Sequence, residues 1–437
     1  MKKYFYSLLA RYFSFFIPRD SNIIILEPTS DSLRVAMRSL RGDEITIRQE
    51  DSLEKLSDSN ADFIILSGNL HNEPDIQTYL IKLKSFCKPS TRVIISYYSS
   101  LWKPVFQFAE KLGIRIPKKG ASKEDENWIS PSDVENLLRL ADFELVSSSQ
   151  KVLIPIYIPI LSNFINRWLP SQPIFRIFPM CNIALARPLF KDCRIKNKPS
   201  VSVVVAARNE AGNIKSLFER TPLMGPFTEL IIIEGNSSDN TWQTIEELKG
   251  NYTSKYIVKT GQQSGKGKGD AVRKGFSMAT GDILMILDAD ITVPPEDLTK
   301  FYNAIVEDKG EFINGSRLVY PMEGQAMRFF NIIGNKFFAA AFSYVLGQSF
   351  KDTLCGTKVM WRKDYEKVVA NRDFFGDFDP FGDFDLLFGA ARMSLKIVEL
   401  PIRYKDRTYG ETNISRWRDG TLLLRMVIFA ARRIKFI

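Results

Sequence analysis

The sequence predicts a protein of the α/β class built as two domains. Apolar strand candidates alternate with helical stretches in two separate runs, one from Asn22 and one from Val201. The 437 residues also exceed the usual size of a single domain. Between the runs, the proline-punctuated apolar stretch VLIPIYIPILSNFINRWLPSQPIFRIFP gives way to the polar, basic RPLFKDCRIKNKPS. That change places a linker at residues 188–200, between domains at 20–187 and 201–420.

The first run reads NIIILEP, DSLRVAMRSL, ADFIILSG, DIQTYLIKLKSF and TRVIISYY. This rhythm is that of a parallel sheet covered by helices. Outside the two domains, residues 1–19 and 421–437 mix Lys2, Lys3, Arg11 and Arg19, or Arg425, Arg432, Arg433 and Lys435, with aromatic and aliphatic residues. Each reads as a basic amphipathic helix, lying either on a membrane surface or against its own domain. Arg11 and Arg425 interrupt runs already shorter than the about 20 apolar residues needed to span a bilayer. No small-residue cleavage site follows the first apolar run, so a signal peptide is not expected.

Composition narrows the chemistry. Hydrophobic residues at 45% and charged residues at 25% are those of an ordinary globular protein. The net charge of +10 suits a nucleic acid, an anionic membrane or a phosphorylated substrate. Four scattered cysteines lack metal spacing and fit a reducing compartment. With His71 as the only histidine, Ser-His-Asp, Cys-His and multi-histidine zinc chemistry are disfavoured. Acidic residues must then carry any acid-base or metal work.

The second run supplies them. Strand Val201 to Ala206 ends in Arg208, Asn209 and Glu210; strand Leu230 to Ile233 ends in Glu234 and Gly235; strand Ile283 to Leu287 ends in Asp288, Ala289 and Asp290. Ligands of open α/β sheets bind at the carboxyl ends of the strands, so three polar ends converge where a ligand is expected. One aspartate at such an end is explained as a helix cap. Two on the same face repel unless a cation compensates them, and a hard divalent ion with a diphosphate does so. Upstream, QSGKGKGDAVRKGF places Lys266, Lys268, Asp270, Arg273 and Lys274 among Gly265, Gly267 and Gly269. Glycines let the backbone close over phosphates that the cations offset, although a flexible basic loop has the same composition. A P-loop is not present, because only three residues separate Gly261 from Gly265 and no Ser or Thr follows Lys266.

The ordered pieces ARNE, EGNSSDNT, GKGKGDAVRKGF and DAD resemble family 2 glycosyltransferases of GT-A fold, the group of dolichol-phosphate mannose synthase, over residues 201–420. The resemblance implies that Asp288 and Asp290 bind Mn²⁺ or Mg²⁺ and the diphosphate of a nucleotide sugar. It implies nucleoside contacts from Ala206, Arg208, Glu210 and Glu234, with Gly235 where many members have a second aspartate. KDRTYGETNISRWRDG resembles a phosphate-proximal RxxGxSK segment, with Asn413 in place of the lysine and Arg407, Arg416 and Arg418 as cations. The repeat FGDFDPFGDFDL either caps the next helix or supplies a general base, Asp383 or Asp385. MRFFNIIGNKFFAAAFSYVLG, residues 327–347, is either core or an interfacial helix receiving a lipid-linked acceptor.

Residues 20–187 resemble a class I S-adenosylmethionine-dependent methyltransferase through SNIIILEPTSDSL, ADFIILSGNLHN, KPSTRVIISYYSS and WISPSDVENLLRLADFELVSS. The turn Glu27, Pro28, Thr29, Ser30, Asp31 lacks the glycine that lets a backbone approach the cofactor. A domain that no longer methylates is the expectation. Taken together, the sequence predicts a Rossmann-like methyltransferase-type domain fused to a GT-A domain. Its activity would be metal-dependent, inverting transfer of a sugar to a lipid-phosphate or glycan acceptor at the cytoplasmic membrane face, with no nucleic acid involved. The alternatives are a bifunctional enzyme that also uses S-adenosylmethionine and a silent sugar-nucleotide-binding regulator.

Overall fold

The computed structural model describes residues 2–26, 31–50, 52–53, 56, 60–111, 126–190, 198–320, 329–372, 382–407, 409 and 416–436. The chain forms two compact units, Met1–Asp192 with Arg432–Ile437, and Cys193–Ala431.

The first unit runs α1 (Lys2–Phe16), β1 (Ser21–Leu26), α2 (Ser32–Arg41), β2 (Ile45–Glu50), β3 (Phe63–Ser67), α3 (Ile76–Ser85), β4 (Arg92–Tyr98), α4 (Lys103–Lys111), α5 (Pro131–Leu140), β5 (Phe143–Lys151), α6 (Leu161–Trp168) and β6 (Cys181–Pro188). Its sheet has the order β2-β1-β3-β4-β6-β5. The strands β2, β1, β3 and β4 pair in parallel, and β6 lies antiparallel to both β4 and β5. Lys151 at the end of β5 pairs with Cys181 at the start of β6, so the segment 152–180 leaves and re-enters the sheet at the same end, and the proline-rich stretch belongs to this unit. Period-two alternation sends Ile23 and Ile25 into one core and Ile24 and Leu26 into the other, giving helices something to cover on both faces. α5 starts where its sequence dictates, with Pro131 in the first turn and Ser130 and Asp133 forming a capping box. α1 places Leu8, Leu9, Tyr12 and Phe13 in the core of its own unit, so the body of that helix is docked. No described helix is long and apolar enough to cross a membrane.

The second unit runs β7 (Val201–Ala207), α7 (Ala211–Arg220), β8 (Thr228–Glu234), α8 (Thr241–Lys249), β9 (Ile257–Gln262), α9 (Lys268–Met278), β10 (Ile283–Asp288), α10 (Leu298–Val306), β11 (Phe312–Ser316), α11 (Phe329–Leu346), β12 (Lys358–Trp361), α12 (Arg362–Ala370), α13 (Asp383–Arg392), β13 (Ile397–Pro401) and α14 (Arg416–Ala430). Its sheet order is β13-β11-β12-β10-β7-β8-β9, with β12 antiparallel to its neighbours β10 and β11. The strands β7, β8 and β10 are runs of β-branched and aliphatic residues buried on both faces, as central parallel strands require. Their register fixes the site: Asp288 lies level with Ala206, Ala207 with Glu234, and Glu234 with Gln262. α11 is mixed, with Ala339 and Phe342 buried and Ile333 and Phe337 exposed.

One buried carboxylate ties four segments of this unit together. Glu229 on β8 accepts from Lys259 Nζ on β9 at 2.6 Å and from the Thr280 hydroxyl at 2.6 Å and amide at 2.8 Å. The Ser202 hydroxyl on β7 donates to it as well. Burial alone would raise this carboxyl, but the Lys259 ammonium and the Ser202 and Thr280 donors more than offset it and hold it at about 2. A depressed carboxyl contributes stability that is present above its unfolded value, 4.5, and is lost as pH falls through about 2. We predict that Glu229→Gln lowers unfolding stability by about 3 kcal/mol at neutral pH. The gap to the parent protein should close as denaturant titrations move from pH 5 towards pH 2; a gap constant with pH would refute this assignment.

Candidate functional site

The carboxyl ends of β7, β8 and β10 bring together the acidic groups that the sequence singled out. Asp288 is the last residue of β10, and Asp290 follows in a tight turn in which Ile291 adopts φ 55°. Each aspartate meets a cation. Lys268 Nζ, from the first turn of α9, lies 2.7 Å from Asp288 Oδ1. Arg407, beyond β13, donates from one nitrogen to Asp290 Oδ2 at 2.6 Å and from another to Glu210 Oε1 at 3.2 Å. The other oxygen of Asp290 accepts from the Thr292 amide at 3.1 Å and hydroxyl at 2.8 Å, which fixes its orientation. Burial would raise the Asp288 carboxyl, but Lys268, with Lys358 and Arg317 behind it, more than offsets this and lowers it.

Glu210 follows β7 and is buried. Asn213 Nδ2 donates to its Oε2 at 2.7 Å, and its amide donates to the Thr241 hydroxyl at 2.9 Å. Burial pushes this carboxyl up to about 7 even though Asn213 and Arg407 pull it back, with Asp290 and Asp239 adding to the rise. Glu234, also buried, accepts from the Ser237 amide and from Gln262 Nε2 at 3.2 Å. It therefore shapes the loop after β8. Gly235 sits close against Arg208: a Cβ there would lie 3.3 Å from the Arg208 Cβ, so an aspartate at this position would need that neighbour to give way. Ala206 is half-buried and Arg208 exposed at the same edge.

The glycine-rich segment is more ordered than a flexible loop. β9, which sequence reasoning missed, ends at Gln262, and α9 begins at Lys268, so Lys268, Asp270 and Arg273 are helical and Lys266 remains exposed in the turn. Gly267 adopts φ 85°, and Asp270 Oδ2 accepts from the Gly265 amide at 2.9 Å. At Gly269, a Cβ would lie 2.9 Å from the Gly382 amide nitrogen, so the starts of α9 and α13 meet backbone to backbone.

That contact brings α13 to the site's edge, where Asp385 pairs with Arg372 at 2.9 Å. Asp383 opens α13, though its side chain, those of Arg416 and Arg418, and residues 410–415 with Asn413 all lie outside the described residues, as does the first copy of the aspartate repeat.

Sequence reasoning missed a supporting shell. Asp352, fully buried, forms a two-pronged pair with Arg317 at 2.6 and 2.9 Å and accepts from Asn335 Nδ2 at 3.0 Å. Glu399 accepts from the amides of Lys351 and Asp352 at 2.7 and 2.9 Å. This shell fixes the approach to Gly356, where a Cβ would meet Asp288 Oδ2 at 2.1 Å. Only glycine leaves Asp288 accessible there. The signal was present in KDTLCGTK as an acid, a small residue and a glycine before a strand, without any spacing that named a partner.

The aspartate pair suits a hard divalent cation. Its donors are carboxylate oxygens, and Gly356 keeps the space beside Asp288 clear. Among the described residues, no group of three acidic, histidine or cysteine side chains could enclose a metal. A cation here would therefore take its remaining ligands from bound phosphate and water.

Residues 202–369 match the family described as Glycosyl transferase family 2. A dolichol-phosphate mannosyltransferase of Pyrococcus furiosus is 29% identical over 220 residues, 49% of this chain and 59% of the relative. An undecaprenyl-phosphate 4-deoxy-4-formamido-L-arabinose transferase of Proteus mirabilis is 24% identical over 219 residues, 49% and 63%. The chain thus spans about three fifths of the length of these relatives. A crystal structure of glucosyl-3-phosphoglycerate synthase from Mycobacterium tuberculosis, with Mn²⁺, uridine diphosphate and product, aligns over 54% of this chain and 80% of that one. Its identity of 18% and TM-score of 0.39 are too low to assign a role to any residue. With the polar strand ends assembled at one edge of its sheet, the second unit carries, over residues 202–369, a glycosyltransferase family 2 domain.

Proposed function

We propose that the protein transfers a sugar from a nucleotide-diphosphate sugar to a lipid-phosphate or glycan acceptor at the cytoplasmic membrane face, using a GT-A site with Mn²⁺ or Mg²⁺. The observation that carries this reading is the pair Asp288 and Asp290 at the end of β10, each neutralised by a cation from another segment. The names of the relatives, which act on dolichol phosphate and undecaprenyl phosphate, support the acceptor class.

In this mechanism Asp288 and Asp290 would hold the metal, whose contribution would be charge stabilisation of the departing diphosphate. Lys268 and Arg407 then exchange their carboxylate partners for phosphate oxygens, so the positive charge stays in place as negative charge develops. Glu210 loses its arginine but keeps Asn213 and, being buried, can remain neutral near pH 7. Ala206, Arg208 and Glu234 line the nucleoside end, with Lys266, Asp270 and Arg273 along the phosphate side. Attack from the face opposite the diphosphate inverts the anomeric carbon. A hydroxyl acceptor needs a base, for which Asp383 and Asp385 at the start of α13 are the candidates; a lipid phosphate is already ionised and needs none. Arg416 would steady such an acceptor.

For the first unit we retain the reading of a methyltransferase-like domain that no longer methylates, on its strand sequence and glycine-free first turn. Binding of S-adenosylmethionine to the purified protein would overturn it.

The test is a thermal-shift screen against UDP-, GDP- and dTDP-sugars with and without Mn²⁺. A true donor raises the melting temperature by mass action in a metal-dependent way, and Asp290→Ala abolishes the metal dependence. A donor shift indifferent to both metal and mutation would sink the metal assignment. A second outcome separates the roles of Arg407. Arg407→Ala removes the cation that competes for Asp290, so Mn²⁺ alone should stabilise this variant more than the parent, while turnover falls by roughly 10²-fold or more. Weaker Mn²⁺ binding in the variant would contradict the exchange of partners.

A further inference from the structure

Helix α6 of the first unit is built inside out. A surface helix ordinarily buries its apolar side and wets its polar one. Here the buried side chains are Ser162, 0% exposed, and Asn166, 1% exposed, while Leu161 and Phe164 face outward. The polar pair is satisfied from within. Asn166 Oδ1 accepts from the amides of Leu153 and Ile154 at 2.8 and 2.9 Å, and its Nδ2 donates to the Ile154 carbonyl at 2.7 Å. The Ser162 hydroxyl accepts from the Ile158 amide at 2.8 Å and donates to the Ile156 carbonyl at 2.7 Å. Two buried polar side chains therefore staple the loop 153–160 to the helix and turn its isoleucines outward.

The tip of that loop is apolar and exposed. Ile160, between Pro159 and Leu161, is 85% exposed and held at φ 65°, a region that β-branched residues avoid. Beyond α6, Ile174 is 81% exposed, and Ile177 and Phe178 are exposed as well. Single exposed apolar residues are ordinary, but a concentration of them in one stapled lobe marks an interaction surface.

Charge identifies the partner. From Lys151 to Lys191 the sequence contains no acidic residue. On one flank, the Tyr4 hydroxyl of α1 donates to Asn163 Oδ1 at 3.0 Å and its ring lies 5.3 Å from that of Tyr157, next to the exposed Lys2 and Lys3. On the other, the Phe436 ring lies tilted against that of Trp168 with centroids 4.6 Å apart, and Arg167 Nε donates to the Phe436 carbonyl at 3.0 Å, just after the exposed Arg432 and Arg433. A second copy docked on this face by two-fold symmetry would set these cations against their own kind. An anionic bilayer accepts both parts, with apolar tips at the acyl boundary and cations among the headgroups.

We infer that the lobe of residues 153–178, flanked by the start of α1 and by the chain's last residues, is a docking surface for anionic lipid. It deepens the membrane-face reading above by naming the element that touches lipid, and it lies outside the donor site.

The test uses the full chain in co-sedimentation with vesicles of phosphatidylcholine and of equal parts phosphatidylcholine and phosphatidylglycerol, comparing the parent with the triple variant Ile160→Ser, Phe164→Ser, Ile174→Ser. The parent should bind the anionic vesicles preferentially, and the variant should bind them at least roughly tenfold more weakly. All three side chains are exposed, so the variant should keep the parent's melting temperature, and its nucleotide-sugar thermal shift should be unchanged. Equal vesicle binding by parent and variant would overturn the lobe, as would no vesicle binding by the parent. Self-association of the parent abolished in the variant would assign the surface to a second copy instead. Loss of the nucleotide-sugar shift in the parent itself would refute the donor reading and leave the lipid result standing.

Discussion

Two aspartates one residue apart at a strand end repel each other in a half-buried site unless positive charge lies beside them. The second unit meets that constraint with side chains from distant parts of the chain: Lys268 from the start of α9 against Asp288, and Arg407 from beyond β13 against Asp290. Because Arg407 also reaches Glu210 at the end of β7, one guanidinium links the first and last polar segments of the site. The proposed function requires this compensation to be exchanged. Both cations are partly exposed, and each is of a type that binds phosphate as readily as carboxylate. In the proposed function, carboxylates balanced by these two cations would become balanced around a metal and a diphosphate without importing a new residue.

The rest of the unit keeps that exchange in register. Asp288 is aligned by the pairing of β10 with β7, whose backbone is level with Glu234 on β8, so three strand ends are set by ladder hydrogen bonds and not by loops. Glu229 locks β7, β8 and β9 below this edge, and the Arg317–Asp352 pair locks the segment leading to Gly356 beside it. These buried charges are fully partnered, the condition under which a polar network rigidifies a fold. Glycine is required where the site is closest: at Gly356, to leave Asp288 room, and at Gly269, to let α9 and α13 touch.

What could be read from the sequence follows the range of the interactions. Strand cores such as Val201 to Ala206 and Ile283 to Leu287 announce themselves by composition, and the residues just beyond them are carried to one edge by topology alone. Asp288, Asp290 and Glu210 were legible for that reason. The partners were not, because Lys268 and Arg407 meet them across 20 and 117 residues of chain, and no spacing encodes such contacts. β9 escaped notice because IVKTGQ is half-exposed and polar, a weak edge-strand signal. The antiparallel β6 was hidden for another reason: a buried strand reads the same in either direction. In the first unit, sequence reasoning assigned no structure to the stretch 152–187 within its domain, because its prolines break ordinary periodicity. The structure gives it a stapled lobe, ordered by Ser162 and Asn166.

The central claim, that Asp288 and Asp290 are a cation site whose lysine and arginine exchange onto phosphate, is tested most directly by anomalous diffraction from crystals grown with Mn²⁺ and a nucleoside diphosphate. The account predicts a manganese peak at the Asp288 and Asp290 carboxylates, with Lys268 and Arg407 moved onto phosphate oxygens. Nucleotide bound without manganese, with Lys268 still on Asp288 and Arg407 still on Asp290, would contradict it.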